Sequence, residues 1–210
     1  MKHVDSATPL GTVFIVDDEE AVRDSLAILM RSIGQQSQAF PDALTFLAAY
    51  DPAHGGCLIL DVRMPRMSGL DLQQELKRRD CHLPIIFITG HGDVPMAVEA
   101  MRAGAIEFLQ KPFNDDELIR RVNSALALDA KQRQQLHELA LLRQRYANLT
   151  GREREIAERL VAGTANKVLA IDLGLSERTI EVHRARILQK MAAHGVTQLA
   201  QMLLRMTPTN

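Results

Sequence analysis

The sequence predicts a doubly wound α/β domain of five parallel strands, (βα)5, joined through a helical linker to an all-α region, and three observations carry that prediction. Over residues 11–128 short apolar runs alternate with amphipathic stretches, the pattern of strands that cross over through helices. Two of the runs, CLILD (57–61) and PIIFIT (84–89), are apolar almost throughout, as central strands buried on both faces require. From residue 149 onward the pattern becomes one of short helices punctuated by Gly163 and Gly174.

The elements follow in order. Residues 1–10, MKHVDSATPL, read as a disordered leader that is too polar for a signal peptide. TVFIV (12–16) is the first strand, a weak one falls near 36–40, CLILD and PIIFIT follow, and EFLQ (107–110) closes the sheet. Helices are expected over Ala21–Ile33, Asp42–Ala49, Leu70–Arg79, Val94–Ala103 and Asp115–Leu128. Residues 129–148 read as the helical linker, with Leu136, Leu139, Leu142, Tyr146 and Leu149 recurring every three or four residues along and just past it. That stripe fits a self-association seam or packing against one neighbouring domain, and about two heptads do not decide between them. Thr150 with Glu153 forms a capping-box signature opening the last region, 149–210, where helices are expected over Gly151–Ala162, Asn166–Leu173, Glu177–Ala192 and Val196–Leu204.

Net charge is only -1, but it is unevenly placed. Residues 1–127 hold 12 Lys and Arg against 18 Asp and Glu, whereas residues 128–210 hold 13 against 8. The basic half suits a polyanionic partner, and a solvated basic surface is the competing reading. Cys57 and Cys81 lack the spacing of a zinc site and read as buried thiols. No apolar run approaches the roughly 20 residues needed to cross a bilayer, which points to a cytoplasmic protein without a membrane partner.

In a parallel sheet functional groups gather beyond the carboxyl ends of the strands. The first strand delivers Asp17 and Asp18 there, the third Asp61, the fourth Thr89, and the fifth is followed by Lys111-Pro112. Singly, each is more often a strand-end cap or core filler. Together they bring three carboxylates, a hydroxyl and an ammonium from four distant segments to one sheet edge.

These residues resemble the receiver domain of bacterial two-component systems, a flavodoxin-like fold, over about residues 11–128. The resemblance implies that Asp61 accepts a phosphoryl group from a sensor histidine kinase. It also implies that Asp18 ligates Mg²⁺ directly, Asp17 mostly through water, and that Asp61 and the Arg63 carbonyl complete the protein ligands. A hard divalent cation relieves the repulsion of such carboxylates, and Lys111 can pair with the phosphoryl group. Thr89 is then drawn toward the aspartyl phosphate and Phe108 turns inward, with Lys111-Pro112 a cis peptide. Gly90 leaves the phosphoryl site open, while Arg63 and His91 stand at rate-tuning positions whose sign the sequence does not set.

Residues 149–204 resemble a LuxR-type helix-turn-helix, the output domain of the NarL/FixJ regulators, through LTGRERE, NKVLAIDLGLSERTIEVHRARILQKM and VTQLAQM. Gly151 departs from a frequent proline at little cost, and Glu181 departs from a lysine of some members, which bears on base preference. Asn166–Leu173 would be the support helix and Ser176 the N-cap of the recognition helix. With Ile180, Ile187 and Met191 facing inward, Arg178, Glu181, Val182 and Ala185 form the base-reading stripe. Arg184, Arg186 and Lys190 flank it toward phosphates, joined by Lys167. His183 reads as a packed, hydrogen-bonded histidine.

The reading that results is a response regulator: phosphorylation of Asp61 promotes homodimers and promoter DNA binding, with RNA polymerase a further partner. It is no enzyme in the ordinary sense, although the receiver would catalyse its own phosphoryl transfer and autodephosphorylation. Two other classes compete. A ligand-sensing LuxR-type regulator shares the C-terminal region but gives the acidic triad no purpose. A Mg²⁺-dependent aspartate-nucleophile phosphatase of the haloacid dehalogenase type needs Asp-x-Asp, and Arg63 stands two residues after Asp61.

Overall fold

A computed structural model describes residues 11–90 and 94–206 of the chain. Among these, five strands form: β1 (Thr12–Val16), β2 (Ser37–Phe40), β3 (Gly56–Asp61), β4 (Ile85–Thr89) and β5 (Glu107–Gln110). Between and after them run α1 (Glu20–Ser32), α2 (Ala43–Ala49), α3 (Gly69–Arg78), α4 (Val94–Arg102) and α5 (Asp115–Ala147). The last region holds α6 (Gly151–Val161), α7 (Asn166–Leu173), α8 (Glu177–Met191) and α9 (Val196–Met206). Most bounds lie within two residues of those expected; the exception is α5. The leader 1–10 lies outside the described residues.

All strands pair in parallel in the order β2-β1-β3-β4-β5. Alternation along each strand splits the core into two layers. Phe14, Val16, Leu58, Leu60 and Phe87 face one way and pack with Phe46 of α2, Leu72 and Leu76 of α3 and Ala100 of α4. Val13, Ile15, Cys57, Ile59, Ile86 and Ile88 face the other way, onto Leu26 and Met30 of α1 and Leu118, Val122 and Leu126 of α5. Both faces are thus covered, and the uninterrupted apolar runs of β3 and β4 follow from that. Cys57 is buried as expected, whereas Cys81 is only half-buried and touches the Tyr50 hydroxyl.

The expected linker does not form an element of its own: α5 runs unbroken through 33 residues, and the compact units divide between Arg133 and Gln134. The side chains explain the division. Asp129 accepts from the Gly56 N–H at 2.8 Å and from Arg133, and Arg133 also donates to the carbonyls of Pro52, Ala53 and His54, fastening this stretch to the sheet. Leu142 and Leu149 instead join the core of the second unit, with Tyr146 packed against them, while Leu136 is exposed.

In that second unit Ile156, Leu160, Leu169, Ile180, Ile187, Met191 and Leu199 form one apolar cluster. Thr150 and Glu153 form the expected capping box at the start of α6. Glu153 is nearly buried, and its carboxylate also accepts from Lys190 Nζ at 2.6 Å, joining α6 to α8. Lys190, and next the Thr150 N–H, hold the Glu153 carboxyl below its ordinary value of 4.5. A carboxylate whose pKa falls on folding contributes stability above its unfolded value, and that contribution is lost as pH falls through the folded one. Glu153→Ala is therefore expected to cost the second unit about 1–2 kcal/mol at pH 7. Scanning calorimetry of the full chain should show this deficit shrinking as pH falls from 4.5 toward the lower folded value, at which the wild-type carboxylate is itself protonated.

Candidate functional site

Strand order reverses direction at β1 and β3, and the crevice between their carboxyl ends is where such sheets bind ligands. Asp17 follows β1 directly and is fully buried; Asp61 ends β3 at 6% exposure. Lys111 reaches over from the end of β5 and donates to both, at 2.8 Å to Asp17 Oδ2 and 3.3 Å to Asp61 Oδ1. Its own backbone N–H donates to the Thr89 carbonyl at 2.7 Å, so pairing of β4 with β5 sets the lysine in place. Thr89, the last residue of β4, is buried.

Backbone donors orient the carboxylates. The Glu19 N–H donates to Asp17 Oδ1 at 2.9 Å, and the Arg63 N–H donates to Asp61 Oδ2 at 2.6 Å. Arg23 on α1 donates to the Asp17 carbonyl at 2.8 Å, a support that sequence reading missed because an arginine one turn into a helix ordinarily faces water. The Gly69 N–H donates to the Val62 carbonyl, and a Cβ on Gly69 would stand 2.2 Å from the Asp61 carbonyl oxygen. Only glycine lets α3 come so close behind the acidic residue.

Burial pushes the Asp61 carboxyl up from its ordinary range, Lys111 and the Arg63 N–H oppose this, and Asp17 adds to it. For Lys111, burial lowers the ammonium pKa, but the bond and charge of Asp17, with those of Asp61, outweigh it and the net shift is upward.

Of the other expected residues, Asp18 is exposed beside Asp17, and the Arg63 side chain is also exposed. Gly90 is exposed, with nothing within 4 Å of where a Cβ would be. Phe108 is half-buried in β5 and packs against Phe87, ring centroids 6.2 Å apart. Lys111-Pro112 is cis. His91 lies outside the described residues. Among the described residues no three carboxylate, imidazole or thiol side chains are gathered as a ready metal cluster, and Asp17 and Asp61 both pair with Lys111. The oxygen donors Asp17, Asp61 and exposed Asp18 nevertheless fit a hard divalent cation in type and charge.

The second site is the surface of α8. Gly174, at φ 63°, ends α7 in the left-handed region, and Ser176 then caps α8 by accepting from the Thr179 N–H at 3.1 Å. Ile180, Ile187 and Met191 face inward. Arg178, Glu181, Val182, Ala185 and Arg186 are exposed and Arg184 is half-buried; on α7, Lys167 is exposed. Lys190, the remaining expected phosphate contact, is exposed, and its ammonium pairs with Glu153. His183 is packed, but its buried Nδ1 meets no hydrogen-bond partner among the described residues, contrary to expectation.

Residues 13–123 match the family model described as response regulator receiver domain, and residues 147–203 match that of the bacterial regulatory proteins of the luxR family. The chain is 46% identical over 192 residues to the transcriptional regulatory protein FixJ of Azorhizobium caulinodans, covering 91% of each. It is 42% identical over 196 residues to the response regulator protein TodT of Pseudomonas putida, covering 93% of this chain and 86% of that one. Among solved structures it is similar to the response regulator StyR, with a TM-score of 0.86 and 43% identity over 95% of this chain and 100% of that one.

The pocket's electrostatics can be tested by stability alone. Lys111→Met leaves the fully buried Asp17 without its cation and is expected to cost about 3 kcal/mol in urea unfolding. Asp61→Asn should act in the opposite direction. A carboxyl whose pKa is raised on folding loses stability as pH climbs from its ordinary 3.8 through the folded value, so the ionised group is a cost at pH 7. The asparagine variant is expected to melt about 3 °C higher at pH 7, with the gap closing at pH 3.

Proposed function

The chain belongs to the response regulators that join a receiver to a LuxR-type helix-turn-helix, the FixJ-like transcription factors, and from that premise we propose that Asp61 is its phosphoacceptor and α8 its reader of promoter DNA. The observation that carries the reading is the Lys111 ammonium shared by Asp17 and Asp61 at the switch point of the sheet. A carboxylate held there by the Arg63 N–H presents Oδ1 toward a cation rather than into bulk water.

In the proposed reaction a carboxylate oxygen of Asp61 attacks the phosphorus of a histidine kinase's phosphohistidine. A P–O bond forms as the P–N bond breaks, and the imidazole leaves with the electron pair. Transfer of this kind rests on positioning and charge neutralisation, which Lys111 supplies from the protein. Mg²⁺, when bound through Asp17, Asp18, Asp61 and the Arg63 carbonyl, would supply further neutralisation of phosphoryl oxygens. Thr89 then engages the phosphoryl group and Phe108 follows, a population shift between two packings of the β4–β5 edge. Water entering past Gly90 would reverse the modification. The same reading makes the activated state a dimer, because a helix-turn-helix commonly reads paired half-sites. Promoter DNA as partner, with RNA polymerase beside it, suits a cytoplasmic site of action.

On α8 the exposed stripe of Arg178, Glu181, Val182 and Ala185 is suited to base edges. Val182 can touch a thymine methyl and Glu181 can accept from a cytosine amino group. Lys167, Arg184 and Arg186 form no ion pair among the described residues and are suited to phosphates.

Incubation with acetyl phosphate is expected to label the wild-type chain and not Asp61→Asn, read by intact mass; equal labelling of both would refute the assignment. Beryllofluoride should shift the wild type toward dimers in sedimentation and leave the variant unchanged. For DNA, Lys167→Ala and Arg186→Ala should each weaken promoter binding and reduce the slope of log K against log salt by about 1. Lys190→Ala should act mainly through lost stability.

A further inference from the structure

Residues 62–68 lead from Asp61 at the end of β3 to Gly69 at the start of α3, and they carry the Arg63 N–H that donates to Asp61 Oδ2. Val62 and Met64 are buried in the core and Met67 packs against it, so apolar contact holds the flanks of this loop. Its middle is held differently. The Met67 N–H donates to the Pro65 carbonyl at 2.8 Å across Arg66, whose φ is 69°. A bond spanning two residues about a central residue of positive φ is the rarer, strained hand of the γ-turn. A side chain beyond glycine pays a steric cost there, and strain of this kind persists only where the surroundings enforce it.

The enforcing group stands on another helix. The Arg66 guanidinium pairs with Asp42 Oδ2, and Asp42 is the N-cap of α2. Its other oxygen accepts from the Thr45 N–H at 2.8 Å and from the Thr45 hydroxyl at 3.1 Å. Asp42 is thereby fixed to a helix whose Ala43 and Phe46 lie in the core, and it offers Arg66 a stationary partner. An exposed ion pair adds little to stability, and glycine would adopt φ 69° without the steric cost. What arginine adds over glycine at this position is its reach to Asp42.

We propose that Arg66 and Asp42 form a positioning pair for phosphoryl acceptance: their contact holds the turn in the β3–α3 loop, which keeps the Arg63 N–H on Asp61 Oδ2 and leaves Oδ1 presented for attack. The proposal rests on the reading of Asp61 as phosphoacceptor. Neither residue touches the reacting atoms; both act through the Arg63 N–H.

Four variants of the full-length chain separate this role from folding. Asp42→Ser keeps a capping side chain but is too short to reach Arg66, and Arg66→Gly accepts the turn without a partner. Their combination removes the same contact twice, and Arg66→Lys returns a cation within reach of Asp42. In ¹⁵N-labelled protein, solvent exchange of the Arg63 amide is expected to quicken about tenfold in the first three, the size of one hydrogen bond, and to stay near wild type in Arg66→Lys. The Leu60 amide should not change in any of them. Labelling by acetyl phosphate with Mg²⁺, followed by intact mass, should slow about fivefold in the same three variants, as misorientation at a reacting group requires, and recover in Arg66→Lys. The double variant should be no slower than either single one, because all three lose one shared contact. The proposal is overturned if Arg63 exchange is unchanged in Arg66→Gly, if exchange quickens without slower labelling, or if the two single effects multiply in the double variant. Arg66→Gly carries the test alone should Asp42→Ser fail to fold. Failure of the Asp61 assignment looks different, since the wild type itself would then go unlabelled while the exchange contrast among variants persists.

Discussion

The ammonium of Lys111 is the contact on which the receiver pocket depends. Without it, carboxylates at the ends of two neighbouring strands would face one another away from water, an arrangement that low local dielectric makes costly. The lysine settles this by standing 2.8 Å from one and 3.3 Å from the other. Its position is not free: its backbone N–H is bound to the Thr89 carbonyl, and β4 and β5 pair up to Gln110. The two acidic groups are set just as firmly by the pairing of β1 with β3. One side chain therefore ties four strand ends together, and a change of charge at Asp61 is felt directly on the β4–β5 edge, where Phe87 and Phe108 pack.

Charge arithmetic says why such a pocket can switch. With Asp17 and Asp61 ionised and Lys111 protonated, the three groups sum to one negative charge. On the proposed reading, phosphorylation replaces the Asp61 carboxylate by a phosphoryl group of about −1.5 to −2. Lys111 then faces a stronger and more distant acceptor than before, and its contact with Asp17 competes with the new one. On that reading the resting geometry, with one net negative charge on three groups, would yield when the charge at Asp61 is enlarged.

Much of this was legible in the sequence, for identifiable reasons. Central strands buried on both faces must be continuous apolar runs, so CLILD and PIIFIT declared themselves, and the residues ending them had to lie at the sheet edge. Ser176 and the Thr150–Glu153 pair declared helix starts because capping needs particular side chains at particular spacings. What was hidden depended on long-range partners. Asp129 looked like one more polar residue of a helix until Gly56, 73 residues earlier, was found bonded to it. Lys190 looked like a phosphate contact because local spacing puts it on the outer flank of α8, and only the fold supplies Glu153 beneath it. Gln73 was invisible for the same reason: its partner is a carbonyl on another helix.

The capture of Lys190 changes the balance of the recognition helix. Its C-terminal half is occupied by packing, through Ile187, Met191 and the bond from Lys190 to Glu153. Toward its N-terminal half Arg178, Glu181, Val182 and Ala185 remain exposed, and that is the half that meets base edges in this motif. Removing one cation from the phosphate set leaves Lys167, Arg184 and Arg186. Each phosphate neutralised contributes about −0.9 to the salt slope, so on the proposed reading a single copy with so few contacts would bind promoter DNA weakly at physiological salt. A second copy on an adjacent half-site converts two weak events into one of high effective concentration. On the proposed reading, the same substitution of packing for charge that stabilises α8 would make DNA binding lean on association between copies, the step that phosphorylation is proposed to control.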